Sequence, residues 1–293
     1  MLDGYKHHEV DESLVERCYQ RPLVAGPQGM IVIGDVIQHL LNAGLRVFVT
    51  GGAPRDWLCG GDVKDIDVVI DQPIQRAHAV LRAAYPGVNA ILIDNEDFGI
   101  IRWGSDLGSI DISILRSAES IEGKPISQTR FVPSGSLYAD GRMCDFSINT
   151  FYYDCLHRRL LEPIEGSLED LRHRRLRLIS HPRKLAVDFR TSLRIAQFVS
   201  RGFEPDESTK AHLEQFGDRD IQGMAPMLAG WVGEHVPAEP RARERFLGCL
   251  APYLRDSRSQ ELLARALEVG ASGQEPWSPP GPGGQTASSR LAS

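Results

Sequence analysis

The sequence predicts an α+β fold in which a head with a mixed sheet is followed by an all-α neck. Strand-like and helix-like segments alternate through residues 23–116, and only helical patterns follow from about Ser167. Hydrophobic residues make up 42% of the 293 residues, enough for one large core and a smaller second one. The predicted domains are an N-terminal extension (1–22), a head domain (23–163), a helical neck and C-terminal domain (164–271) and a disordered Pro/Gly/Ser-rich tail (272–293).

The head contains five strand-like segments and two longer helical ones. A helix is predicted from Val36, Leu40 and Leu41, which share one face, and it ends at Gly44. A second helix is predicted over residues 73–85, with Pro73 in its first turn. The strand-like segments read RVFVTGG, DIDVVI, AILIDNE, GIIRWG and SIDISIL.

Composition excludes several classes of protein. The formal net charge of −6 excludes a surface coated with positive charge for gripping nucleic acid, although a local basic patch is compatible with it. No run of about 18 apolar residues is present, and the polar start does not resemble a secretory signal, so no membrane partner is expected. Five widely spaced cysteines without a CxxC pair favour a reducing, cytoplasmic setting.

The stretch from residue 47 to residue 70 carries the clearest chemical signal. A strand runs into Gly51 and Gly52, and a short helix with Arg55 and Asp56 in its first turn follows. Glycines at a strand end allow a ligand to approach the backbone, and the N–H groups at the start of a helix attract anions. This segment therefore predicts a phosphate-binding loop.

Two aspartates follow on the next strand. Residues two apart on a strand point to the same face, so Asp65 and Asp67 project together while Ile66 and Val68 face the core. Two adjacent carboxylates repel unless a cation lies between them, and Mg²⁺ is the cation that carboxylates and phosphates share. Asp111, on the strand SIDISIL, would be a third carboxylate if its strand lies beside 65–70, completing the metal site or accepting a proton.

An alternative interpretation treats the two aspartates as a solvated strand edge and the glycines as an ordinary turn. The order and spacing of GG, RD and DxD disfavour that interpretation. A haloacid-dehalogenase-like phosphatase also uses DxD, but its hydrophobic strand precedes the aspartates, whereas here VVI follows them. Phosphoryl or nucleotidyl transfer is the predicted chemistry.

Several motifs resemble the class II tRNA nucleotidyltransferase and bacterial poly(A) polymerase family, within the polymerase-β-like nucleotidyltransferases. The first is GGAPRDWLCGGDVKDID at residues 51–67. Residues 144–149 (CDFSIN) resemble the family's RDFTIN motif, residues 169–177 its neck entry, and residues 187–203 its base-reading helix.

The resemblance implies a role for each matched residue. Gly51, Gly52 and Arg55 would hold the triphosphate of a nucleotide such as ATP or CTP, and Asp56 would support that loop. Asp65 and Asp67 would bind two Mg²⁺ ions. The remaining matched residues would contact the ribose and the base edge: Asp145 and Asn149 near the ribose, Asp188 and Arg194 at the base.

The resemblance is incomplete at two places. Met143 and Cys144 replace two family arginines, and Thr191 stands where the family has a base-reading arginine. These departures predict an intact catalytic head with an altered base-selecting helix.

The expected function is template-independent transfer of a nucleoside monophosphate to an acceptor hydroxyl of RNA, such as a tRNA 3′ end. The basic run from Arg172 to Lys184 is a candidate RNA contact, with a solvated helix face as the competing interpretation. Two alternatives stay open: transfer to a small-molecule or protein acceptor, and a non-catalytic nucleotide- or RNA-binding relative.

Overall fold

The computed structural model describes residues 4–63, 65–95, 99–119, 130–179 and 189–272. The chain divides into two compact units, residues 1–186 and residues 187–293. Strands are concentrated in the first unit and helices in the second. The boundary after residue 163 that the sequence suggests is a different division, and it stays a prediction.

An eight-stranded mixed sheet forms the centre of the first unit. Its strands lie in the order β1-β12-β11-β4-β5-β8-β7-β6, and within it β5 and β8 are parallel while the other neighbours are antiparallel. The strands are β1 (Lys6–His8), β4 (Val47–Thr50), β5 (Ile66–Ile70), β6 (Ile91–Asn95), β7 (Ile100–Ser105), β8 (Gly108–Ile114), β11 (Tyr152–Asp154) and β12 (Arg159–Glu162). This sheet confirms the predicted α+β class with a mixed sheet.

Helices and small hairpins surround this sheet. The helices are α1 (Glu12–Tyr19), α2 (Ile33–Asn42), α3 (Gly52–Leu58), α4 (Ile74–Ala84), α5 (Leu137–Gly141) and α6 (Ser167–Arg172). The further strands are β2 (Pro22–Gly26) with β3 (Gly29–Val32), β9 (Arg116–Glu119) with β10 (Arg130–Pro133), and β13 (Arg175–Leu176). Helix α2 buries Val36 and Leu40, as the periodicity of its sequence predicts, and also Ile37, whereas Leu41 is only partly buried.

The two faces of β5 explain how the sheet positions polar side chains. Ile66, Val68 and Ile70 are buried on one face, as the alternation predicts. Val69, on the opposite face, packs in a second hydrophobic cluster with Phe48 and Leu137, while Asp67 on that same face is exposed. The strand is therefore covered on both sides except at the end where its aspartates lie.

The N-terminal residues form part of this unit. Strand β1 pairs antiparallel with β12, and α1 packs against α2. Glu12 of α1 accepts hydrogen bonds from Tyr153 and Arg158, so α1 is also tied to strand β11 and the turn after it. Strand β1 and helix α1 are therefore both anchored to the first unit.

The second unit consists mainly of helices. They are α7 (Phe189–Ser200), α8 (Glu207–Leu213), α9 (Asp218–His235), α10 (Pro240–Leu250) and α11 (Ser257–Ser272), with the short strand β14 (Glu204–Pro205) between α7 and α8. Buried Leu193, Leu228, Phe246 and Leu263 contribute to its core. None of the helices within the described ranges has both the length and the apolar character needed to cross a bilayer. The predicted disordered tail falls on residues outside the described ones, apart from Ser272 at the end of α11.

Candidate active site

The turn between β4 and α3 brings a glycine against an aspartate. Gly51 has φ 73° and ψ −129°, a conformation that L side chains rarely adopt. A Cβ atom on Gly51 would lie 2.9 Å from Oδ2 of Asp67. Glycine is therefore required both by the backbone and by the carboxylate that lies beside it.

Four neighbouring strands place a row of polar residues on one face of the sheet. Thr50 on β4 lies opposite Asp67 on β5, Asp67 lies beside Asp111 on the parallel strand β8, and Asp111 lies opposite Arg102 on β7. We call these four residues the lateral row. Asp65 comes just before β5 on the same side as Asp67, and both are exposed.

Asp111 thus lies on the strand adjacent to Asp67, where the sequence interpretation needs a third carboxylate. Its own partner is Arg102, whose Nε and Nη2 atoms donate to Oδ1 and Oδ2 of Asp111, each at 2.6 Å. The hydrogen-bonded Asp111 carboxylate raises the pKa of Arg102, and the charges of Asp67 and Asp65 raise it further. Sequence reasoning missed Arg102.

The register of the β7–β8 hairpin could have revealed this partner. Ser105 pairs with Gly108 across a turn at Asp106 and Leu107. Counting outward from a two-residue turn places residue 102 opposite residue 111. The apolar pattern predicts the two strands, whereas their register follows only from the position of the turn.

Arg55 is held between two side chains. Its Nη1 atom donates to Oδ1 of Asn149 at 2.6 Å, and its Nε atom donates to Oδ1 of Asp56 at 2.8 Å. Only 12% of the Arg55 side chain is exposed, and a Cβ atom on Gly52 would lie 3.2 Å from its Nη2 atom. The structure therefore brings together Gly52, Arg55, Asp56 and Asn149, which the sequence groups as nucleotide-binding residues.

The segment 145–149 is fixed by the chain that follows α6. The Asp145 carbonyl accepts from the Ile179 amide, and the Ser147 amide donates to the Arg177 carbonyl. The hydroxyl of Ser147 donates to buried Asp170 at 2.7 Å, and Arg177 donates to the same carboxylate at 2.6 Å. These bonds set the position of Asn149 and hence of the Arg55 guanidinium.

The described part of the predicted basic run is not a continuous helix face. Helix α6 ends at Arg172, and the chain then turns at residues 173–174 into β13. Arg172 pairs with Glu169, while Arg175 and Arg177 pair with Asp170. The carboxylates of Glu169 and Asp170 thus offset part of the positive charge of this run. Residues 180–184 lie outside the described residues.

The two predicted base-reading residues belong to a different part of the chain. Asp188 lies outside the described residues, and Arg194 lies on α7 of the second unit. Thr191, on the same helix, is 2% exposed. The proposed base-reading roles of Asp188 and Arg194 stay predictions.

The donor set fits a divalent cation bound through two protein carboxylates. Mg²⁺ in nucleotide sites is usually held by one or two carboxylates together with substrate phosphates. Asp65 and Asp67 supply hard oxygen atoms on one side of β5, next to the glycine turn. Within the described ranges, no group of three or more potential metal-ligating side chains is assembled, in agreement with the pairing of Asp111 to Arg102.

Several known proteins are similar to this chain in sequence. Residues 47–177 match the family model of the poly A polymerase head domain. The CC-adding tRNA nucleotidyltransferase of Shouchella clausii is 26% identical over 250 residues, which is 82% of this chain and 60% of that protein. Poly(A) polymerase I of Haemophilus influenzae is 24% identical over 66% of this chain and 42% of its own length.

A solved structure of a CCA-adding enzyme in an apo form is similar in fold. It matches with a TM-score of 0.56 at 19% identity, covering 91% of this chain and 57% of that one. The chain thus spans about two fifths to three fifths of the length of these relatives. The matched family region contains β4, β5, β7 and β8, the four strands that carry the lateral row.

Proposed function

We propose that this chain belongs to the class II tRNA nucleotidyltransferase and poly(A) polymerase family, because residues 47–177 match the poly A polymerase head domain, and that it transfers a nucleoside monophosphate from a nucleoside triphosphate to an acceptor hydroxyl. The observation that carries the proposal is the contact between the glycine turn and Asp67. A Cβ atom at Gly51 would lie 2.9 Å from the Asp67 carboxylate, so a phosphate on the turn would also be beside the metal-binding oxygen atoms.

In this proposal, Asp65 and Asp67 hold Mg²⁺ as its protein ligands. When bound, Mg²⁺ would supply charge neutralisation for the phosphates and favour the alkoxide form of the acceptor hydroxyl. Asp65 and Asp67 would hold the ion in a fixed position, because Ile66, which lies between them, and Val68, which follows Asp67, are buried in the sheet. Their fixed positions avoid a reorganisation of the site during the reaction.

Arg55 would bind and orient the triphosphate. Its guanidinium presents donors in a fixed plane, which suits phosphate oxygen atoms. Asp56 and Asn149 each hold one side of that plane, so the orientation of the guanidinium is fixed. The glycines at positions 51 and 52 allow the phosphates to approach the backbone closely.

RNA is the proposed acceptor, with the cytoplasm as the expected compartment. The two curated relatives are a tRNA nucleotidyltransferase and a poly(A) polymerase. The base preference is proposed to differ from that of the family, because the position of the base-reading arginine is occupied by Thr191, a buried residue without charge.

The test is to incubate the full chain with Mg²⁺ and each α-labelled nucleoside triphosphate, with and without total RNA. Label transferred to RNA supports the proposal. Pyrophosphate release that requires a metabolite extract instead of RNA would point to a small-molecule acceptor. Nucleotide binding without any transfer would indicate a non-catalytic relative and contradict the proposal.

Asp65→Ala and Asp67→Ala should each lower turnover by more than about 10³-fold. The metal stabilises several kcal/mol of charge that develops in the transition state, and removing one of its ligands forfeits most of that stabilisation. Circular dichroism should show an unchanged fold, because both side chains are exposed. Asp62→Ala, at an exposed carboxylate paired with Arg17, is the matched control and should retain turnover. Wild-type turnover in both site variants would exclude the proposed roles.

A further inference from the structure

We propose that Arg102 is a resident cation of the carboxylate cluster that holds Asp111 away from the metal. In the nucleotide-free protein, a divalent cation would then be bound through Asp65 and Asp67, with Asp111 as a neighbour and not as a ligand. Arg102 is a positioning residue in this proposal, which rests on the proposed metal site and deepens it.

The geometry of the pair supports this assignment. Arg102 and Asp111 lie directly opposite on β7 and β8, and two parallel hydrogen bonds of 2.6 Å occupy both oxygen atoms of the carboxylate. A bidentate arginine fixes the plane of the carboxylate as well as its position. The plane of Asp111 is thereby set towards β7, whereas the Asp67 side chain lies on the other side of it, on β5.

The charges of the cluster also support this assignment. Asp111 is paired with Arg102, whereas the negative charges of Asp65 and Asp67 attract a divalent cation to the end of β5. Arginine does not lose its proton in a protein, so the positive charge of Arg102 is permanent.

The pair is accessible enough to be replaced without disrupting the core. The Arg102 side chain is 44% exposed and that of Asp111 is 29% exposed, and exposed ion pairs contribute little to stability. Substitutions at both positions should therefore fold, and their effect should be seen in metal binding.

The experiment measures Mn²⁺ binding to the full chain without nucleotide, using the electron paramagnetic resonance signal of free Mn²⁺. Arg102→Gln should bind Mn²⁺ about tenfold more tightly than wild type, the scale on which neighbours of metal ligands change affinity. The double variant R102Q/D111N should return to within about threefold of wild type, because it removes the pair without changing the net charge. Arg82→Gln, at an exposed arginine on α4, is the matched control and should bind as wild type does.

Three results would overturn the proposal. If R102Q binds Mn²⁺ no more tightly than wild type, Arg102 does not restrain Asp111. The absence of Mn²⁺ binding to every variant would also overturn the proposal. If R102Q/D111N binds at least tenfold more weakly than wild type, Asp111 is already a ligand. Thermal unfolding of each variant confirms that the fold is kept.

This readout is independent of the transfer reaction. Failure of the wild-type protein to transfer label from any nucleoside triphosphate would count against the proposed function. The Mn²⁺ cycle would still show whether Arg102 withholds Asp111 from the cation.

Discussion

Gly51 couples backbone conformation to the position of a carboxylate. Gly51→Ala should lower turnover by about 10²-fold, because the new Cβ atom would displace the Asp67 carboxylate that lies 2.9 Å away, and displacements of about 1 Å at a reacting centre have costs of that size. The positive φ of 73° should also reduce the free energy of unfolding by about 1–2 kcal/mol. Steady-state kinetics and urea unfolding measure the two effects.

Gly44→Ala separates these two effects. Gly44 has φ 81°, but no atom lies within 4 Å of its Cβ position. This control should also lose stability, because its φ is positive, but its turnover should be unchanged. If G44A and G51A reduced turnover equally, backbone strain alone would explain the effect and the contact with Asp67 would be irrelevant.

At this scale, the sequence predicts residues whose role follows from local spacing. The grouping of Gly51 with Asp65 and Asp67 can be recognised because it depends on one turn and on strand alternation. The partner of Arg55 is different, since Asn149 lies 94 positions away in the chain. Here the family motif supplied Asn149, whereas Arg102 lay outside the motifs and was missed.

Among the secondary-structure elements, the five strand-like segments of the head were predicted, including β4, whose Val47, Phe48 and Val49 are all buried. The positions of β5, β7 and β8 were each predicted within a residue or two. Strand β11 reads Tyr-Tyr-Asp and is buried throughout, so its sequence contains no alternation to detect. The strands β9 and β10 and helix α5 fall in a stretch for which the sequence predicts neither a strand nor a helix.

Helix α5 is tied to the sheet by one buried carboxyl group. Asp140 accepts a hydrogen bond from the Tyr152 hydroxyl at 2.7 Å and one from the Arg116 amide at 2.9 Å. Burial raises the pKa of Asp140, although both hydrogen bonds oppose that shift. A raised carboxyl pKa means that the protonated form is favoured by folding, so its stabilisation is complete below about pH 3.8 and is lost as the pH rises through the folded pKa.

Asp140→Asn should remove this dependence. The free energy of unfolding of wild type relative to D140N should fall as the pH rises above 3.8, by about 1.4 kcal/mol for each unit by which the pKa is raised. Urea unfolding of both proteins at several pH values between about 4 and 7 measures the difference. Tyr152→Phe, which removes a donor that lowers the pKa, should extend the fall to higher pH. A difference that stays constant with pH would show that Asp140 does not titrate in this range.

For the whole molecule, the two compact units differ in composition and in their cores. The first unit contains the sheet and the lateral row, and its buried residues include Val47, Ile66 and Tyr152. The second has a helical core of its own, which includes Leu228 and Phe246. Units with separate cores are generally able to fold separately.

Residues 1–186 produced alone should therefore unfold cooperatively. Thermal unfolding followed by circular dichroism should show a single transition and a mixed helix and strand spectrum. Residues 187–293 produced alone are the companion sample and should give a helical spectrum. A non-cooperative melt of the first fragment would show that its sheet depends on the second unit.

The pairing of β1 with β12 also bears on the order in which the sheet forms. His8 and Glu162, bonded at 2.7 Å, are 154 positions apart, so this edge of the sheet closes only after nearly all of the first unit has left the ribosome. Until then β1 has no strand partner, and one edge of β4 stays open until β11 is made. The strands β5 and β8, which carry Asp67 and Asp111, already have both of their neighbours once residue 114 is made.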